Sequence, residues 1–176
     1  MLCEADELLS GPDCLIVAVG IYDDTRFETD VHRAAPNCEI VAFDGSLERN
    51  NLTHTVPKFL NLVPQYFDRK THQRFLDRRK VNLLKLDCDT CEFGELPSWL
   101  DHVCTDQIVV EVHRRTYFSP FINMRNMHRL MTHFHTRGYR VAFLEPNPFY
   151  PKLGTEYTMV RNVSCGSQAT IIGAAR

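Results

Sequence analysis

The run Val81 to Glu92, VNLLKLDCDTCE, constrains the fold more than any other part of the chain. An apolar stretch of strand length ends on Asp87, a second acid follows at Asp89, and a helical pattern then begins. The arrangement recurs. Leu15 to Gly20 is an apolar run ending in glycine, Glu39 to Phe43 leads into Asp44, and Ile108 to Val112 carries Glu111 and stops at His113. In open α/β sheets ligands sit beyond the carboxyl ends of the parallel strands, where loops and helix N-termini leave polar groups free. Four strands therefore deliver polar ends to one rim.

Between these strands the sequence reads as helix. Phe27, Val31 and Ala34 form an apolar stripe behind Asp23, Asp24 and Thr25, any of which can cap it, and Pro36-Asn37 ends it. A weak strand is expected over Thr55 to Leu60, interrupted by Pro57, and a helix over Pro64 to Lys80 with a solvated basic face. Phe93, Leu96, Trp99 and Leu100 predict a helix that Pro97 delays or kinks. After a strand at Gln107 to His113, Ser119 and Pro120 open the clearest helix, with Met127, Leu130, Met131 and Phe134 as its stripe and Gly138 as its end. The strands Tyr139 to Leu144 and Glu156 to Val160 are joined by a loop too short for a crossover helix. The pattern predicts an α/β, doubly wound, mostly parallel sheet with an antiparallel strand near one edge, in one domain spanning 1–176 with its core at about 14–162.

Composition narrows the function classes. A formal net charge of −2 offers no footprint for nucleic acid or an anionic membrane, and no apolar run is long enough to span a bilayer. The partner expected is a small-molecule acceptor, with no nucleic acid and no membrane segment. The acidic start MLCEADELLS lacks the basic and apolar regions of a signal peptide, which points to a cytoplasmic protein. Seven cysteines scattered through a core-rich chain predict mostly reduced thiols. Cys88 and Cys91 form C-x-x-C, but a zinc site needs two more ligands, for which His102 and Cys104 are nearest, and buried thiols are the better reading. His128 and His133 stand about 140° apart on a helix and cannot share an ion. No metal site is expected.

Five runs in register resemble S-adenosylmethionine-dependent methyltransferases related to the FkbM group, especially the animal proteins labelled as a methyltransferase domain. These are VAVGIYDDTRFE at Val17 to Glu28, CEIVAFD at Cys38 to Asp44, LLKLDCDTCEF at Leu83 to Phe93, VVEVH at Val109 to His113 and EYTMVRN at Glu156 to Asn162. The resemblance implies a Rossmann-like class I fold, S-adenosylmethionine as cofactor, and methyl transfer to the oxygen of a small hydroxyl or sugar-type acceptor. Two departures support a rival, a catalytically silent module that keeps the fold for binding. Only Gly20 stands in a first turn that usually holds several glycines, and Thr90 replaces a glycine after the second acid. A nicotinamide enzyme is disfavoured by the missing G-x-G-x-x-G.

Candidate site residues follow. Asp44, 24 positions after Gly20, is placed to accept ribose hydroxyls, its alternative being a helix cap. Gly20 with Asp23 or Asp24 would face the methionine ammonium, unless these acids only cap the helix. Asp87 and Asp89 would lie at the reacting centre, holding the methionine end, an acceptor hydroxyl or a cation, and one of two close carboxylates suits a general base. Glu111 and His113 alternate by two and share one face, where His113 could take a proton. Two rim loops would hold the acceptor, with Arg114, Arg115, Tyr117 and Phe118 on one and Asn147, Phe149 and Tyr150 on the other.

Overall fold

The computed structural model describes residues 2, 5–50, 56–75, 80–89, 91–113, 124–147 and 154–165. Seven strands form one sheet: β1 (Leu15–Val19), β2 (Glu39–Phe43), β3 (Leu60–Val63), β4 (Val81–Leu86), β5 (Thr105–His113), β6 (Tyr139–Pro146) and β7 (Gly154–Arg161). Their order is β3-β2-β1-β4-β5-β7-β6, parallel from β3 through β5, with β7 antiparallel between β5 and β6. The helices are α1 (Ala5–Leu8), α2 (Arg26–Ala34), α3 (Ser46–Arg49), α4 (Arg69–His72) with a 3-10 turn at Gln73–Phe75, α5 (Cys91–His102) and α6 (Met124–Thr136). This is the doubly wound sheet with an antiparallel strand near one edge that the sequence pattern predicts.

Alternation along the central strands builds two apolar layers. Leu15, Val17 and Val19 face Trp99 and Phe134, while Ile16 and Ala18 face Val31 and Leu47. β1 is buried on both faces, which fixes the sheet and brings its carboxyl end to the middle of the rim. Pro97 lies inside α5 and does not delay it, contrary to expectation. Leu96 and Trp99 beside it are fully buried, and Trp99 Nε1 donates to Thr105 Oγ1 at 2.8 Å, so packing on the sheet overrides the local cost of proline. The third strand lies at Leu60–Val63, later than expected, and Pro57 stands outside it. The helix expected over Pro64 to Lys80 is reduced to α4 and its 3-10 turn among the described residues. The Ser119-Pro120 helix start lies outside them.

The cysteines require a correction. Cys14–Cys38, Cys88–Cys91 and Cys104–Cys165 are disulfides, with Cα atoms 4.6, 5.7 and 5.8 Å apart. Sheet register explains the two long-range bridges. Leu15 pairs with Glu39, so Cys14 and Cys38 just before them stand side by side. Cys104 precedes β5 and Cys165 follows the antiparallel β7, which brings both to one end of the sheet.

His72 is 3% exposed and packs against Phe67 and Trp99 with ring centroids 4.6 and 5.3 Å away. Neither ring nitrogen has a hydrogen-bond partner among the described residues. Burial, aided by the charges of His102 and Arg69, pushes its pKa from 6.5 down to about 4. The unfolded chain then binds a proton that the folded chain refuses. Stability is fully present above pH 6.5 and falls as the pH drops toward 4, by up to about 1.4 kcal/mol per pH unit. Urea unfolding between about pH 7 and about pH 4 should show this acid limb, and His72→Phe should flatten it.

Candidate active site

A cleft of about 690 Å³ opens at the carboxyl ends of β1, β2 and β4, where the strand order reverses. Gly20 forms its floor. Its φ is +73°, and a Cβ there would stand 1.6 Å from the backbone oxygen of Asp87, so only glycine fits between the ends of β1 and β4. Gly20 N–H donates to Phe43 O at 3.0 Å, and Lys85 Nζ donates to Gly20 O at 2.5 Å. Tyr22 and Tyr66, both more than half exposed, line the walls, and the Tyr66 ring presses on the Gly45 backbone. Tyr22 at φ 41° and Asp89 at φ 60° adopt the left-handed region without being glycine, and both lie on the cleft.

Asp44 lies in the cleft as expected, but it is already heavily engaged. Oδ2 accepts the backbone N–H groups of Ile21 at 3.1 Å and Tyr22 at 2.7 Å. Oδ1 accepts Ser46 N–H at 2.8 Å and Ser46 Oγ–H at 2.6 Å. The acid thus shapes the first turn from below. Asp23 and Asp24 are exposed and are not among the cleft-lining residues. Asp24 instead pairs with the Arg26 side chain at 2.5 Å, which holds its carboxyl down at about 2, and it also accepts the Arg26 backbone N–H. The helix N-cap is Thr25, so Asp24 lies just before the cap.

Asp87 and Asp89 reach the far end of the cleft. Next to them His113, 9% exposed, is held by Glu92, which is fully buried at the start of α5. Glu92 Oε1 accepts the backbone N–H of His113 at 3.0 Å and lies 2.9 Å from Nδ1. The other ring nitrogen, Nε2, points at three carboxylates, 3.5 Å from Asp89, 3.7 Å from Asp87 and 3.8 Å from Glu111. Burial alone would lower this imidazole, but the Glu92 hydrogen bond and the surrounding charges outweigh it and raise the ring to about 9. With Nδ1 against Glu92 and Nε2 toward three carboxylates, the ring faces acceptors on both sides. Burial pushes the Asp87 carboxyl up, opposed by Lys85 and His113, and burial also raises Glu111, assisted by the charge of Asp87. Asn147 Nδ2 donates to Glu111 Oε1 at 2.7 Å, which brings those two expected residues together. Arg114, Arg115, Tyr117, Phe118, Phe149 and Tyr150 lie outside the described residues.

Three site residues escape sequence reasoning. Glu92 falls in a C-E-F stretch that reads as an ordinary first helical turn, and Lys85 reads as one polar break in a strand. Glu28 is 1% exposed, both its carboxylate oxygens lack partners among the described residues, and burial raises its pKa against the pull of Lys85.

The sequence model of a family described as "Methyltransferase domain" matches residues 1–161. No curated protein matches the chain. Among solved structures, the fold is similar to the Methanococcus jannaschii fibrillarin pre-rRNA processing protein, at 13% identity and TM-score 0.63 over 87% of this chain and 68% of that one. Aeropyrum pernix fibrillarin with natively bound S-adenosyl-L-methionine matches at 12% identity and TM-score 0.59, over 89% and 73% of the two chains. A 16S rRNA (adenine(1408)-N(1))-methyltransferase variant from Catenulisporales acidiphilia, with cosubstrate S-adenosylmethionine, matches at 14% identity and TM-score 0.52 over 92% of each. These likenesses establish the class I methyltransferase fold, and S-adenosylmethionine is the cofactor of the family. They also overturn the expectation of a small-molecule acceptor with nucleic acid excluded. Proteins titled for pre-rRNA processing and for 16S rRNA methylation share this fold, and a net charge of −2 is no ground for setting such acceptors aside.

Asp44→Ala should reduce unfolding stability by about 2 to 4 kcal/mol, because it strands buried backbone donors of the first turn. Ser46→Ala removes only the hydroxyl donor and should cost about 1 kcal/mol. Urea titrations of the two variants check the ranking.

Proposed function

Since the chain belongs to the methyltransferase-domain family matched over residues 1–161, we propose that it methylates an oxygen of a hydroxyl-bearing acceptor, with the cleft at β1, β2 and β4 holding the donor. The observation that carries this reading is the Gly20 floor, open to Asp44 at one end and to Asp87 and Asp89 at the other. S-adenosylmethionine supplies a methyl group on a sulfonium: the C–S bond breaks as a C–O bond forms, leaving a thioether and a methyl ether, and the acceptor hydroxyl gives up its proton.

The residues divide the remaining work. Asp44 Oδ1 meets the ribose by exchanging the Ser46 hydroxyl for a ribose hydroxyl, while Oδ2 keeps the first turn in place. Tyr66, exposed on the cleft wall, offers an aromatic face to the adenine. Gly20 and the backbone of Tyr22 receive the methionine end in place of Asp23 and Asp24. At the reacting end Asp89, the more exposed acid, accepts the proton, and Asp87 orients the acceptor. The oxygen preference and the kinship with FkbM methyltransferases rest on the five sequence runs. Three disulfides support an oxidising compartment in place of the cytoplasm expected from the sequence.

Calorimetry of the folded chain with S-adenosylmethionine and with its demethylated product should give one bound molecule per chain. Gly20→Ala should abolish both signals, since the added Cβ forces β1 and β4 apart. An absence of heat from the parent at millimolar cofactor would turn the reading to a silent binding module. Alkylation of the unreduced, denatured protein from its native source should label Cys3 alone among the seven cysteines. Labelling of Cys14 or Cys104 would return the domain to a reducing compartment.

A further inference from the structure

A row of acids crosses one face of the sheet at its rim. Glu111 of β5 pairs directly with Glu156 of β7, and Glu156 pairs with Glu145 of β6. Asp87 at the end of β4 continues the row toward the cleft, and Asp89 and Glu92 stand beside it. Like charges placed directly opposite across strands destabilise a sheet. Lys85 brings positive charge to Asp87 and Glu156, and His113 to Asp87 and Glu111.

We propose that Asp87, Glu111 and His113 bind a divalent transition-metal ion at the acceptor end of the cleft. One ligand atom from each already lies within 4.8 Å of the other two. Ligands held about 2.1 Å from a common ion stand roughly 3 to 4 Å from one another, so closure needs shifts of only a few tenths of an ångström at the His113 pairs. His113 Nε2 lies 3.7 Å from Asp87 and 3.8 Å from Glu111. The imidazole, its side chain 11% exposed, is aimed at the carboxylates, with Nδ1 fixed by fully buried Glu92. A carboxylate on the far nitrogen of a ligating histidine is the usual outer-shell partner, because it orients the ring and raises its basicity. The ion replaces the proton on Nε2. Two carboxylate oxygens and one imidazole suit a divalent first-row ion, for which Mn²⁺ is the probe.

On the methyl-transfer reading above, an ion here binds the acceptor oxygen and lowers its pKa, leaving Asp89 to take the proton. Whether the ion binds does not depend on that reading.

The test titrates MnCl₂ into the full chain after removal of chelator, following the six-line electron paramagnetic resonance signal of free Mn²⁺. One ion per chain should bind at sub-millimolar concentration. Glu111→Gln and His113→Gln should each weaken binding at least about tenfold, and Glu92→Gln about 10- to 100-fold. Asp30→Asn, which removes an exposed acid paired with Arg33 on α2, should leave binding unchanged. Electron spin-echo modulation of the bound Mn²⁺ should show one coordinated imidazole nitrogen in the unmutated protein, a readout that survives if a variant misfolds. No binding at millimolar Mn²⁺, binding without a coupled nitrogen, or binding retained in folded Glu111→Gln would overturn the site. Calorimetry with S-adenosylmethionine in EDTA separates the two readings: cofactor bound without any Mn²⁺ site sinks the ion alone, and Mn²⁺ bound without cofactor sinks the donor cleft alone.

Discussion

The contact between Gly20 and the backbone of Asp87 holds the site together. β1 and β4 are the central strands, and their carboxyl ends meet where the chain reverses its direction of winding. Because Gly20 has no side chain, the peptide of Asp87 closes onto it, and Lys85 reaches over to the Gly20 carbonyl. The position of Asp87 at the reacting end is thereby tied to the position of Gly20 on the cleft floor. Asp44 is tied to the same point through its bonds to Ile21 and Tyr22. Backbone bonds from Asp87 N–H to Val19 O and from Gly20 N–H to Phe43 O, each 3.0 Å, join the same strand ends.

Charge is distributed unevenly around this frame. Glu92 is fully buried, which would be costly for a lone carboxylate, but both the backbone and the ring of His113 answer it. Glu28 is buried without hydrogen-bond partners among the described residues, and its proximity to Lys85 and Asp87 links α2 electrostatically to the rim. A rim that keeps several carboxylates partly desolvated gives up stability, because burial, with their mutual repulsion added to it, raises Asp87, Glu111 and Glu156 together. Raised carboxyl groups gathered beside the cleft are the setting that the proposed cation and proton chemistry requires.

How much of this the sequence discloses follows from the range of each interaction. Apolar runs ending on polar residues place Gly20, Asp44, Asp87 and His113 at one rim, because a strand carries its own direction and periodicity. The antiparallel direction of the last strand is equally legible, since its connection to β6 is too short for a crossover, whereas its insertion between β5 and β6 is not. Long-range pairings are hidden. Nothing local joins Glu92 to His113 or Glu28 to Lys85, and nothing in the cysteine spacing shows that β1 and β2 bring Cys14 beside Cys38. Asp24 and Asp44 illustrate the limit. Both read as acids that either cap a turn or hold a ligand, and only the fold shows that Asp24 turns outward to Arg26 while Asp44 turns inward under the first turn.

The glycine-poor turns have a structural answer. In the first turn Tyr22 takes a left-handed backbone, and after β4 Asp89 does the same, each at a cost of about 1 to 3 kcal/mol for a residue with a side chain. The strain is opposed by neighbours that hold the backbone in place. Asp44 grips Tyr22 N–H at 2.7 Å, its shorter bond to the first turn. The Cys88–Cys91 bridge closes a ring around Asp89, which limits the conformations open to that turn before any ligand arrives. The chain keeps side chains at Tyr22 and Asp89 and fixes the backbone by a buried carboxylate on one side of the cleft and a covalent tie on the other. The two left-handed turns thereby bring an aromatic ring and a carboxylate to the cleft lining.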